Sequence, residues 1–179
     1  MESITIHDRK FRLYIPARKI QEAVRRMASV INKNLGNKEV VLIAVLNGAF
    51  IFASDLIRQL NFNCRVSFVK LASYEGMKNT GQIRELMGIH EVLAGKTILV
   101  IEDIVDTGAT LEEVINSVRE HQPAEIRVVT LLFKPDAYES NLKLDYIGFR
   151  IPNDFVVGYG LDYDGFGRNL EDIYTVVES

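Results

Sequence analysis

Residues 98–110 read Ile98-Leu99-Val100-Ile101-Glu102-Asp103-Ile104-Val105-Asp106-Thr107-Gly108-Ala109-Thr110. The four leading apolar residues, three of them β-branched, predict a buried strand over 97–102. Two adjacent carboxylates, Glu102 and Asp103, stand at its carboxyl end. After a short loop, 106–110 lead into a helix expected over 111–121. Backbone N–H groups that open a helix have no partners within it, and the helix dipole favours negative charge there, so such a start suits a phosphate. Gly108 lets backbone approach a ligand with no Cβ between, and the hydroxyls of Thr107 and Thr110 add donors. Like charge bars Glu102 and Asp103 from a phosphate. They suit sugar hydroxyls, or Mg2+ ions that bring a second phosphate group. The run describes a site for a phosphorylated ribose.

Working outward, Pro16 opens a helical pattern in which Ile20, Val24, Met27, Ile31 and Leu35 share one face, and Gly36 stops it. Residues 39–46 read as a buried strand, 49–60 as a helix, 65–72 as a strand and 125–133 as another. Shorter strands are expected over 145–151, 155–159 and 173–177. The stretch 73–88 holds Gly76, Gly81 and Gly88 with little apolar periodicity, which predicts a long loop, either a lid or a disordered segment. Strands alternating with helices, the strands wholly apolar, predict an α/β fold with a doubly wound, mostly parallel sheet. Ligands of such sheets bind outside the carboxyl ends of the strands.

The chain has 179 residues, enough for one domain with a full core and no linker dividing it. Its net charge of −3 lacks the basic footprint of a nucleic-acid binder. The single cysteine, Cys64, forms no internal disulfide and predicts a reduced thiol in a cytoplasmic protein. No signal peptide is legible at 1–4, and the longest apolar run, 40–46, is too short for a membrane. Gly95-Lys96-Thr97 precedes a strand and has His90 where a P-loop needs its first glycine, so it is a turn. Gly158-Tyr159-Gly160 lacks the third glycine of a dinucleotide fingerprint. His7, His90 and His121 are scattered, without metal-ligand spacing, and read as surface residues.

Residues 98–110 resemble the phosphoribosyl diphosphate (PRPP) signature of type I phosphoribosyltransferases. Leu46-Asn47-Gly48 after the first buried strand, Ser73-Tyr74 at the head of the loop, and Lys134 before Pro135 narrow the resemblance. So does Pro152-Asn153-Asp154-Phe155-Val156-Val157-Gly158-Tyr159-Gly160-Leu161-Asp162-Tyr163, with Arg168 beyond. In order, over nearly the whole chain, these resemble the hypoxanthine-guanine phosphoribosyltransferases.

That resemblance implies the type I fold as a single domain, 1–179, with a small hood from about 1–15 and 150–179. It implies a purine-salvage enzyme joining hypoxanthine, and also guanine, to PRPP to give IMP or GMP and pyrophosphate. Glu102 and Asp103 would hold the ribose hydroxyls, partly through Mg2+. Asp106, Thr107, Gly108, Ala109 and Thr110 would cradle the 5′-phosphate, with Asp106 also the general base at purine N7. Lys134 would meet the 6-oxo group, Phe155 would stack on the ring, and Val156 would read the base edge through its backbone. Asp162 would hold Mg2+ near the purine. Arg168 and Leu46-Asn47-Gly48 would bind pyrophosphate, and Ser73 and Tyr74 would belong to the lid. Asn47 stands where several relatives carry Lys. Implied partners are small molecules and a second copy, as dimer or tetramer, with no nucleic acid and no membrane. A non-catalytic PRPP or nucleotide sensor on the same fold is the alternative. A receiver domain also sets acids at strand ends but leaves the 107–110 cradle and Lys134 unexplained. Hypoxanthine against guanine preference is open at this stage.

Overall fold

The computed structural model describes residues 3–73, 83–89 and 91–177; of 72, 73 and 83–87 only the backbone is described. In chain order the elements are β1 (Ser3–Ile6), β2 (Arg9–Ile15), α1 (Ala17–Leu35), β3 (Val40–Leu46), α2 (Phe50–Ile57), β4 (Cys64–Ser73) and β5 (Ile83–Met87). Then follow β6 (Thr97–Val105), α3 (Ala109–Glu120), β7 (Glu125–Phe133), β8 (Tyr146–Arg150), β9 (Val156–Val157) and β10 (Ile173–Val176).

The main sheet runs β5-β4-β3-β6-β7-β8. All its pairings are parallel except β4 with β5. The pleat sends alternate residues of β3 to opposite faces. Leu42 and Ala44 pack with α1 and α2, while Val41, Ile43 and Val45 pack with α3. Burial on both faces explains why the strands are apolar without alternation. Leu42 is fully buried, so Leu42→Ala is expected to cost about 2–5 kcal/mol of unfolding free energy, read as a lower denaturant midpoint at unchanged slope.

Sequence order reverses between β3 and β6. From β3 the chain moves outward to β4, and from β6 it moves the other way to β7 and β8. This is the crevice where ligands of open α/β sheets bind. Here it is built in: β3 and β6 stay paired only as far as Ala44↔Ile101, whereas β6 continues beside β7 to Val105↔Phe133. Past Ala44 and Ile101 the two strands part, and Gly48 comes over Asp103.

A second sheet, β1-β2-β10-β9, joins the two terminal regions, with Ile15 against Ile173. Phe11, Val157 and Tyr174 form its small core. It is tied to the main body where the Ala17 N–H, at the start of α1, donates to Asp172 Oδ1 (2.6 Å).

Several sequence expectations need correction. Ser73 belongs to β4 and residues 83–87 form a strand antiparallel to it, so these positions of the loop expected over 73–88 are strand. Tyr74, Gly76, Gly81 and His90 lie outside the described residues. Glu102 and Asp103 sit inside β6, which runs on to Val105 because β7 keeps pairing with it. The helix expected over 49–60 is α2, ending at Ile57. Gly36 does end α1, but in right-handed conformation (φ −58°). Its glycine identity follows from crowding, since a Cβ there would lie 2.6 Å from the Asn32 carbonyl oxygen. Cys64 is a half-buried free thiol at the margin of the core, and burial pushes its pKa up. Among the described residues no helix is long and apolar enough to cross a membrane.

Candidate active site

On the β6 side of the crevice, Glu102 and Asp103 are nearly buried, 5% and 9% exposed. Burial drives the Glu102 carboxyl well above the ordinary range, and the neighbouring Asp103 adds to it. Burial also raises Asp103, against backbone hydrogen bonds and the charge of Arg168. Two crowded acids of this kind favour a ligand that supplies hydroxyl protons or positive charge.

The turn after β3 comes down on this pair. Its Leu46–Asn47 peptide is cis. A Cβ on Gly48 would lie 1.7 Å from Asp103 Oδ2, so bare backbone covers the carboxylate. Gly160 covers Gly48 in turn: its φ is +103°, and a Cβ there would fall 2.1 Å from the Gly48 carbonyl oxygen. Glycine is needed at both positions for close approach. Arg168 braces the stack, donating from Nη1 to the Gly160 carbonyl (2.7 Å) and pairing through Nη2 with Asp162 Oδ1 (2.7 Å). The other Asp162 oxygen accepts the Gly165 N–H (2.7 Å).

Continuing from Glu102, Val105 and residues 106–111 line a concavity at the start of α3. Gly108 caps that helix with φ +94°. A Cβ on it would meet the Tyr138 ring at 2.7 Å and Ser140 at 2.8 Å. Thr107 Oγ1 accepts the Ala109 N–H (3.3 Å). Asp106 projects toward solvent, its side chain 46% exposed, and pairs through Oδ2 with the buried Lys134 ammonium (2.9 Å). Lys134 follows β7, and its N–H donates to the Val105 carbonyl (3.0 Å).

The terminal sheet supplies an aromatic wall. Phe155 is 41% exposed, with its ring edge-on to Tyr163 (5.8 Å) and tilted against Phe11 (6.4 Å). Val156 is buried in β9, opposite Thr175 of β10.

A family model for the phosphoribosyl transferase domain matches residues 15–164. The hypoxanthine phosphoribosyltransferase of Buchnera aphidicola is 34% identical over 169 residues, covering 93% of this chain and 96% of that protein. The human hypoxanthine-guanine phosphoribosyltransferase is 35% identical, over 94% of this chain and 82% of its own. A crystal structure of a hypoxanthine-guanine phosphoribosyltransferase from Bacillus anthracis superposes with TM-score 0.87 at 37% identity, covering 93% of this chain and 97% of that one. The chain belongs to the hypoxanthine-guanine phosphoribosyltransferase family. Membership makes its sheet the type I phosphoribosyltransferase fold and the chain a transferase; these relatives lend nothing to the sensor alternative.

Within this family member, Leu46, Asn47, Gly48, Glu102, Asp103, Asp162 and Arg168 are brought together through the contacts above. Asp106–Thr110 and Lys134 adjoin them through β6, and Phe155 and Val156 stand on the terminal sheet. Ser73 ends β4, paired with Ile83, and Tyr74 lies outside the described residues. Sequence reasoning missed the Lys134–Asp106 pair, the Tyr138–Ser140 brace over Gly108, and the Phe11–Tyr163 support behind Phe155. Only the last left a signal, since Phe11, Leu13 and Ile15 alternate along β2.

Proposed function

We propose that the protein transfers the 5-phosphoribosyl group from PRPP to N9 of hypoxanthine, and of guanine, releasing pyrophosphate in purine salvage. The observation that carries this reading is the Asp106–Lys134 pair at 2.9 Å, beside a helix start suited to phosphate. Asp106 accepts the proton from purine N7 as general base. Lys134 holds that carboxylate in place and presents its ammonium to the 6-oxo group of the incoming base.

Residues 106–110 hold the 5′-phosphate, and Glu102 and Asp103 hold the ribose hydroxyls. As pyrophosphate leaves, positive charge builds on the ribose ring, and the two carboxylates stabilise it from fixed positions. Arg168 and the backbone of Leu46-Asn47-Gly48 bind the departing pyrophosphate. Phe155 stacks on the purine, and Val156 meets its edge through backbone groups. The terminal sheet acts as the hood, about 1–15 and 150–179, of a single domain. Ser73 and Tyr74 belong to a lid that excludes water from the ribose cation.

Mg2+ fits the donor set, because buried, mutually repelling carboxylates are hard oxygen ligands. Among the described residues no cluster of three or more metal-ligating side chains is preformed, which suits an ion that takes one or two carboxylates and completes its shell with substrate oxygens and water. Glu102 and Asp103 would hold one such ion and Asp162 another, and the metal would supply charge that neutralises the leaving pyrophosphate. Chelation is therefore expected to abolish turnover, and added Mg2+ to restore it. A cytoplasmic location accords with the free thiol of Cys64, and a dimer or tetramer with the family.

The deciding experiment is a panel of hypoxanthine, guanine, xanthine and adenine with PRPP and Mg2+, following nucleotide formation. Product from hypoxanthine and none from adenine is expected; no product from any 6-oxopurine overturns the reading. Phe155→Ala should raise KM for hypoxanthine about 2–10-fold, from a stacking loss of about 0.5–1.5 kcal/mol. Its effect on KM for PRPP should be smaller in the same assay.

A further inference from the structure

Tyr159 stands in left-handed conformation (φ +51°) between Gly158 (φ +102°) and Gly160 (φ +103°). Such a backbone is unfavourable for a large residue and persists only where its surroundings over-determine it. Main-chain bonds do part of this: Tyr159 N–H donates to the Leu170 carbonyl and Gly160 N–H to that of Arg168, each at 2.9 Å. The side chain does the rest. The ring is buried, and its hydroxyl donates to Asp55 Oδ2 of α2 at 2.6 Å. That same oxygen accepts from Gln21 Nε2 of α1, also at 2.6 Å. Burial and Asp55 both push the Tyr159 phenol up, so it stays a proton donor.

The bond spans the two arms of the site. Asp55 lies on the helix that follows Leu46-Asn47-Gly48. Tyr159 immediately precedes Gly160, whose backbone is pressed on the Gly48 carbonyl and whose own carbonyl holds Arg168. We infer that Asp55 and Tyr159 are positioning residues, joined by one hydrogen bond that fixes the Gly160–Arg168 arm against the Asn47–Gly48 arm in the geometry that receives the pyrophosphate end of PRPP. This rests on the functional reading above. Neither residue is among those placed against the substrate above. The purine side is held separately, by β9 on β10, so the two substrates report on the bond differently.

The test is steady-state kinetics of the full chain with hypoxanthine and PRPP, on Tyr159→Phe, Asp55→Ala, Asp55→Asn and the double variant Tyr159→Phe/Asp55→Ala. Circular dichroism checks folding. Tyr159→Phe and Asp55→Ala should each raise KM for PRPP by about tenfold, the scale of a lost hydrogen bond to a charged acceptor. KM for hypoxanthine and kcat should stay within about twofold. Both donors meet one Asp55 oxygen, so the single carbonyl of Asn can serve both, and Asp55→Asn should restore near-normal values. The double variant should be no worse than either single change, because the same bond is lost once. A merely structural role would lower melting temperature without this split between substrates.

An unmoved KM for PRPP in folded Tyr159→Phe overturns the inference, even if Asp55→Ala fails to fold. So does an additive double variant. Absence of turnover in the unaltered chain would instead count against the functional reading itself.

Discussion

Asp106→Asn is expected to lower kcat by about 10²–10⁴, the usual contribution of a positioned general base, while PRPP still binds. The exchange is nearly isosteric. The Asn carbonyl can still accept from Lys134 Nζ, which now lies 2.9 Å from Asp106 Oδ2. The side chain is 46% exposed, so little packing depends on it. The exchange removes the capacity to take a proton, together with the negative charge that faces Lys134. Pairing turnover with calorimetric titration of PRPP separates the two contributions. Turnover equal to that of the unaltered chain would remove Asp106 from the role of base. Weakened PRPP binding with intact kcat would assign it to the phosphate cradle alone.

The second large effect is expected at Gly48. Gly48→Ala should reduce kcat/KM for PRPP by about 10² or more, the scale on which a displacement of about 1 Å acts in a preorganised site. The new methyl would lie 1.7 Å from Asp103 Oδ2, well inside contact distance. Either the carboxylate turns away from the ribose or the turn lifts. Lifting would also break the seat of Gly160 on the Gly48 carbonyl. Both routes injure the same end of the substrate. Unaltered PRPP kinetics in this variant would mean that the close approach has no part in binding.

The sequence was most legible where chemistry and secondary structure coincide in one stretch. In 98–110 the apolar run, the paired acids and the Gly-Ala-Thr start of a helix are contiguous, and the structure keeps them so. The strand boundary was misread because β6 is extended by its partner β7, a pairing that no local pattern in 102–105 reveals. Residues 83–87, Ile-Arg-Glu-Leu-Met, lack strict alternation and become a strand only by adding to the edge of β4. In 9–15 the period-two signal of Phe11, Leu13 and Ile15 was present and went unused. The Lys134–Asp106 and Tyr159–Asp55 contacts lie beyond any window, since the parallel sheet brings together the first pair and the packing of the terminal region on α2 the second, each far apart in the chain. Gly48 was legible through the resemblance as part of a pyrophosphate-binding segment, but the carboxylate beneath it was not.

The pairing of Ile15 with Ile173 also bears on how the molecule assembles. Contacts between such distant positions carry a large loop-closure entropy and form late in folding. The crevice between β3 and β6, built from neighbouring βαβ units, is therefore expected to mature first during renaturation from urea. Phe155 acquires its aromatic backing only when the ends of the chain meet. Recovery of catalytic competence should lag behind recovery of helical signal, with purine affinity the last property to return.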